Sequence, residues 1–122
     1  MDTMMKLMQD AAMTMMPADG ATSSMFAGPE VMSGRVSAKR DGMGLTLMLS
    51  DDFVVPNAPA PHWRVVDAAG ETYLLQRLEV AGGRTNRSIR VPAYVPQVAR
   101  VQIWCAFAEV VLGEASFTTP VM

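Results

Sequence analysis

One cysteine and one histidine in 122 residues leave little room for metal or nucleophile chemistry. A lone cysteine cannot close an internal disulfide, so a stapled secreted scaffold is excluded, and Cys105 is left as a free thiol, an intermolecular bridge or a ligand. With His62 as the single imidazole, a two-histidine haem site cannot form within one chain, and any Cys–His pair or axial haem ligand must use that residue. Charge is also sparse. Ten basic against twelve acidic residues give a net charge of -2, without the basic footprint of a nucleic-acid binder. No apolar run approaches the roughly 18 to 20 residues needed to span a bilayer, so no transmembrane segment is expected. Asp2, Lys6, Gln9 and Asp10 interrupt the first twenty residues, which therefore do not read as a secretory signal. The expectation is a cytoplasmic chain, or one whose signal preceded this numbering.

What is abundant is methionine, and it is unevenly placed. Nine of the twelve methionines precede residue 33, whereas both tryptophans, both tyrosines and three of the four phenylalanines follow it. The reading is a tail and linker over 1–31 and one domain over 32–122. In the tail, Met1, Met4, Met5, Met8, Ala11, Ala12 and Met15 recur at helical spacing, which predicts a short amphipathic helix or flexible tail. Pro17, Asp19 and Gly20 end it, and "ADGATSSMFAGPE" reads as a linker. Met4, Met5, Met8, Met13, Met15 and Met16 are candidate thioether ligands for Cu(I), the competing reading being an adaptable docking stripe. Few obligatory contacts are expected between 1–31 and the rest, so truncation there should leave the domain folded.

The body has period two. Leu45, Leu47 and Leu49 alternate with Thr46, Met48 and Ser50, and "GRVSAKR" meets them across the hairpin signal "DGMG". "DDFVVPNAPAP", with three prolines, reads as an irregular crossing or an edge. "HWRVVD" and "ETYLLQRLEV" flank "AAG" as a second hairpin, "AGGRTN" is a turn, "RSIRV" a short strand and "PAYVPQVA" a loop. "VQIWCAFAEVVLG" follows until Gly113 breaks it, leaving "EASFT" as the last strand. About seven short strands without helical periodicity predict an all-β, single antiparallel β-sandwich. Its expected core includes Leu45, Leu47, Leu49, Leu75, Leu78, Ile89, Val101, Ile103 and Phe107. Alternation places Val101, Ile103, Cys105 and Phe107 on one, inward face and Gln102, Trp104 and Ala106 on the other.

These segments together resemble the DM-thirteen domain over roughly Met32 to Phe117. The resemblance is carried by "SGRV", "LTLMLSDDF", "APAPHWRVV", "YLLQRL", "RSIRVPAYV", and above all by "VQIWC" followed by "LGEASF", in which Cys105, Gly113 and Ala115 fit the family pattern. Where family members often have a Gly-Pro-Asp step this chain reads "APAPHW", so no aspartate role is carried over there. The resemblance implies a β-sandwich accessory to an extracytoplasmic redox or electron-transfer chain, periplasmic or secreted, with Cys105 as its redox residue and a redox protein or small molecule as partner. Haem or Cu(I) would be the cofactor classes to look for, and catalysis by the isolated chain is not implied.

Each candidate has a plainer alternative. Cys105 is either a reactive thiol in an electropositive setting or a small hydrophobe packed in a sheet. His62 and Trp104 are candidate ligand-binding residues, and His62 alternatively faces solvent at a strand start. Asp51 and Asp52 point to opposite sides of an extended segment, one of them shaping a turn. Arg84, Arg87 and Arg90 either meet an acidic partner or protect a sheet edge. The two non-redox alternatives are an interaction module with a packing cysteine and a Cu(I)-handling protein using its tail.

Overall fold

Alternating burial is the local cause of the architecture, and it is clearest at Gly44–Leu49, where Leu45, Leu47 and Leu49 are buried and Met48 is exposed. A computed structural model describes residues 20–42, 44–78, 80–81, 84–85 and 87–122. Among them are ten strands and no helix: β1 (Gly20–Thr22), β2 (Val36–Asp41), β3 (Gly44–Leu49), β4 (Pro61–Val66), β5 (Thr72–Arg77), β6 (Val80–Ala81), β7 (Arg84–Thr85), β8 (Ser88–Arg90), β9 (Val98–Cys105) and β10 (Val110–Val121). One four-stranded sheet has the order β10-β9-β4-β5, a second the order β1-β2-β3-β8, and β6 and β7 form a separate ribbon. Every pairing is antiparallel. The inner faces meet in one core, with Val36, Ala38, Leu47 and Ile89 from one sheet and Trp63, Val65, Val101, Ile103 and Ala115 from the other. The all-β sandwich expected from the pattern is therefore present, with eight strands in its two sheets.

The additional strand comes from the segment expected to be linker. Residues 20–31 build β1 and then a strap along the outer edge of β10. Ala27 and Glu114 exchange two backbone bonds, at 3.0 and 2.9 Å, and the amides of Glu30 and Val31 both donate to the Leu112 carbonyl. Phe26, 1% exposed, meets the Phe53 ring edge-on at 5.5 Å between centroids. The boundary expected at Met32 thus falls inside packed structure, and "ADGATSSMFAGPE" misleads because its small residues serve close approach. A Cβ on Gly28 would lie 2.6 Å from the Gly113 Cα, so this crossing admits only glycine. The expected Met-rich helix falls on residues 1–19, outside the described residues.

Gly113 does not end a strand. It lies within β10, beside a bulge that lets Ile103 pair Gly113 while Trp104 pairs Val111, with Leu112 as the extra residue. The break comes earlier, at the turn Ala106–Glu109, and Phe107 is consequently 79% exposed instead of buried. Leu75, also expected in the core, is only partly buried against it. The turn closes through Glu109, whose φ of 59° lies in the left-handed region and whose amide donates to the Cys105 carbonyl at 2.7 Å.

Candidate functional site

The two faces of β9 separate the candidate residues. Val101, Ile103 and Cys105 point inward, and Cys105 is 2% exposed. Arg100, Gln102 and Trp104 belong to the opposite face, where Gln102 stands beside Arg64 of β4 and Glu114 of β10, and Trp104 beside His62. His62 and Trp104 are therefore brought together, while Cys105 is on the other side of the same sheet. A Cys–His pair is not formed, because adjacent positions on a strand project to opposite faces.

The sulfur of Cys105 sits at the mouth of the Ala106–Glu109 turn and accepts the Ala108 amide at 3.4 Å. It acts on this single turn as a serine does at a helix start, taking up an amide three residues on. That bond holds the thiol below its usual pKa range, with smaller contributions in the same direction from the Phe107 and Ala60 amides; burial opposes them.

On the outward face the side chains form a connected set. Arg64 Nε donates to Gln102 Oε1 at 2.7 Å, Gln102 Nε2 donates to Glu114 Oε2 at 2.7 Å, and Arg100 reaches the same Glu114 oxygen at 3.5 Å. The Arg64 guanidinium carbon lies 3.9 Å from the centre of the Trp104 ring, a cation–π stack. Gln102 is only 7% exposed because these neighbours cover it, so its amide orientation is set by having one acceptor-seeking and one donor-seeking partner. Partial burial works against the charge on Arg64 and Glu114 supports it. His62 Nδ1 lies 3.0 Å from the Ala60 carbonyl, which can only accept, so Nδ1 carries the proton in that contact. Leu74, opposite Arg64 across β5, leaves half its surface exposed beside this set.

The remaining candidates disperse. Asp52 accepts from the Ser50 hydroxyl, which holds its carboxyl below the ordinary value and shapes the turn before Phe53. Arg87 donates to the Ser50 carbonyl at 2.7 Å, and Arg90 lines a cavity at the other end of the sandwich. The Arg84 side chain and Met4, Met5, Met8, Met13, Met15 and Met16 lie outside the described residues. No group of three or more His, Cys, Asp or Glu side chains converges among the described residues. Sequence reasoning missed Arg64, Gln102 and Glu114. Alternation places Gln102 beside Trp104, but only the register of three strands adds Arg64 and Glu114 to them.

Comparison of the chain with known protein families, curated proteins and solved structures finds no match.

Proposed function

We propose that this protein is a non-catalytic β-sandwich binding module that engages a partner protein through the outward face of the β10-β9-β4-β5 sheet, with Cys105 as a packing and turn-capping residue. The observation that carries this reading is the Arg64–Trp104 stack, held in place by Gln102 and Glu114. Trp and Arg dominate protein-binding hot spots, and a guanidinium already fixed by stacking and hydrogen bonding loses little freedom on docking. Leu74 adds exposed apolar area, and among the described residues of that face Arg64, Arg77 and Arg100 outnumber Glu114. A partner surface combining apolar side chains with carboxylates suits that face.

A photo-crosslinking residue at position 74, in the cell that makes the protein, tests the reading. A discrete protein adduct that disappears when Arg64→Ala is added, and is absent with the crosslinker at Met48 on the other sheet, is the expected result. No adduct at 74, or one indifferent to Arg64, removes it. A second reading, the redox accessory role implied by the DM-thirteen resemblance, draws support from the amides that favour the Cys105 thiolate. Its signature is native-state alkylation of Cys105 at the rate of a small-molecule thiol, whereas the binding-module reading expects modification only on unfolding.

A further inference from the structure

About seven residue steps along β9 from Cys105, or roughly 23 Å at strand rise, the opposite end of the sandwich bears a half-open cavity of about 670 Å³. Its size is in the range that holds small organic ligands. Buried Leu45, Val91 and Val95 form its floor, and exposed Arg40 and Arg90 stand at its rim. Among the described residues, the lining contains no acidic side chain. Arg40 of β2 pairs inward-facing Leu45 and Arg90 of β8 pairs Thr46 on the alternate face, so the two arginines flank the start of β3 from either side, and it is the long Arg90 side chain passing Gly44 that brings its guanidinium to the opening. Gly44 keeps the space between them open, with an Arg90 terminal nitrogen 3.6 Å from where a side chain there would begin.

We propose that this cavity is a binding site for a small apolar carboxylate, its hydrocarbon body on the Leu45–Val91–Val95 floor and its carboxylate between Arg40 and Arg90. The vertical order of the lining dictates that orientation: an apolar body gains from leaving water at the floor, and an anion gains from two guanidinium groups while staying partly hydrated at the rim. Arg40 donates to a main-chain oxygen of Met122, and Arg90 also has a contact within the chain. A guanidinium carries five N–H donors, so the bond to Met122 leaves Arg40 others for a bound carboxylate.

Octanoate titrated into the full chain, followed by amide resonances, is the test, with sulfate and octanol as the head-only and body-only probes. Octanoate should shift Leu45, Val91 and Val95 in a saturable manner and bind at least tenfold more tightly than either probe. Arg90→Gln and Arg40→Gln should each weaken it at least tenfold with the dispersed spectrum retained. Should Arg40→Gln loosen the end of β10, Ala93→Glu at the exposed rim provides an independent variant, expected to abolish binding by repulsion. Unmoved floor resonances, equal binding by octanol or sulfate, or affinity unchanged in Arg90→Gln and Ala93→Glu would overturn the assignment. Trp104→Ala, on the distant outward face, should leave the titration as it is, which separates this site from the proposed partner surface.

Discussion

Val31 and Gly113 meet so closely that a Cβ added to the glycine would lie 2.5 Å from the valine Cβ and 2.8 Å from its carbonyl oxygen. The strap bearing Val31 is bonded through its amides to Leu112, immediately before Gly113, so neither backbone can retreat freely. Gly113→Ala should therefore destabilise the fold by about 1–3 kcal/mol through overpacking. Val31→Gly in the same chain, which removes the clashing Cβ, should recover part of that loss. A double-mutant cycle in urea checks the coupling; strictly additive effects would mean the strap yields at no cost.

The buried Phe26 ring makes the strap part of the core. Phe26→Ala is expected to cost about 3–5 kcal/mol, and deletion of 1–31 should abolish the cooperative melt of the body. Calorimetry of the two chains tests both statements. A cooperative transition retained without residues 20–31 would restore the boundary read at Met32.

Glu109 closes the turn after β9 in a conformation that side chains disfavour by roughly 1–2 kcal/mol. Glycine removes that strain but enlarges the unfolded ensemble, a cost of about 0.4–1 kcal/mol. Glu109→Gly should consequently raise stability by up to about 1 kcal/mol, read as a higher Tm.

At the same turn, Cys105→Ala removes the sulfur that takes up the Ala108 amide. The expected loss is about 0.5–2 kcal/mol, in the range of a deleted cap. Denaturant titration measures it, and faster amide exchange at Ala108 would locate it at the cap.

Asp67 organises the β4–β5 hairpin. It accepts the Tyr73 hydroxyl at 2.8 Å through one oxygen and the Ala69 and Glu71 amides, each at 2.9 Å, through the other. The Tyr73 bond, followed among the stabilising contacts by the amides, holds the Asp67 carboxyl below its ordinary value; the same bond pushes Tyr73 above its own. The Asp67 contribution is thus fully present above the unfolded carboxylate value of about 3.9 and is lost as pH falls through the lower folded value. That of Tyr73 is present below its unfolded value of about 10 and is lost as pH rises through the higher folded one. Tyr73→Phe should flatten both limbs of the stability–pH profile relative to the parent. An unchanged acid limb would assign it to other carboxylates.

Leu45, Leu47 and Leu49 show why much of the fold was legible. Period-two alternation is local, and burial on one side of a strand is its direct consequence, so the hairpin across "DGMG" and the all-β class follow from neighbouring residues alone. Val101, Ile103 and Cys105 obey the same rule. Phe107 does not, because "AFAE" turns without glycine, proline or asparagine, and the left-handed residue that closes the turn is a glutamate. Gly113 carries the opposite lesson: it resembles punctuation in the chain, yet its missing side chain is required by Val31, more than eighty positions earlier.

Pattern, composition and the counts of cysteine and histidine were enough to establish the sandwich class, the inward direction of Cys105 and the exclusion of chemistries that need more ligands than the chain has. They act within one strand or on the whole composition, so they need no knowledge of what lies beside what. Placement of Trp104 on Arg64 and of Gln102 between Arg64 and Glu114 depended on inter-strand register. Register is set by the strap, the β10 bulge and packing between the sheets, all of which join residues distant in the chain, and a one-residue slip would send each of those side chains to the other face.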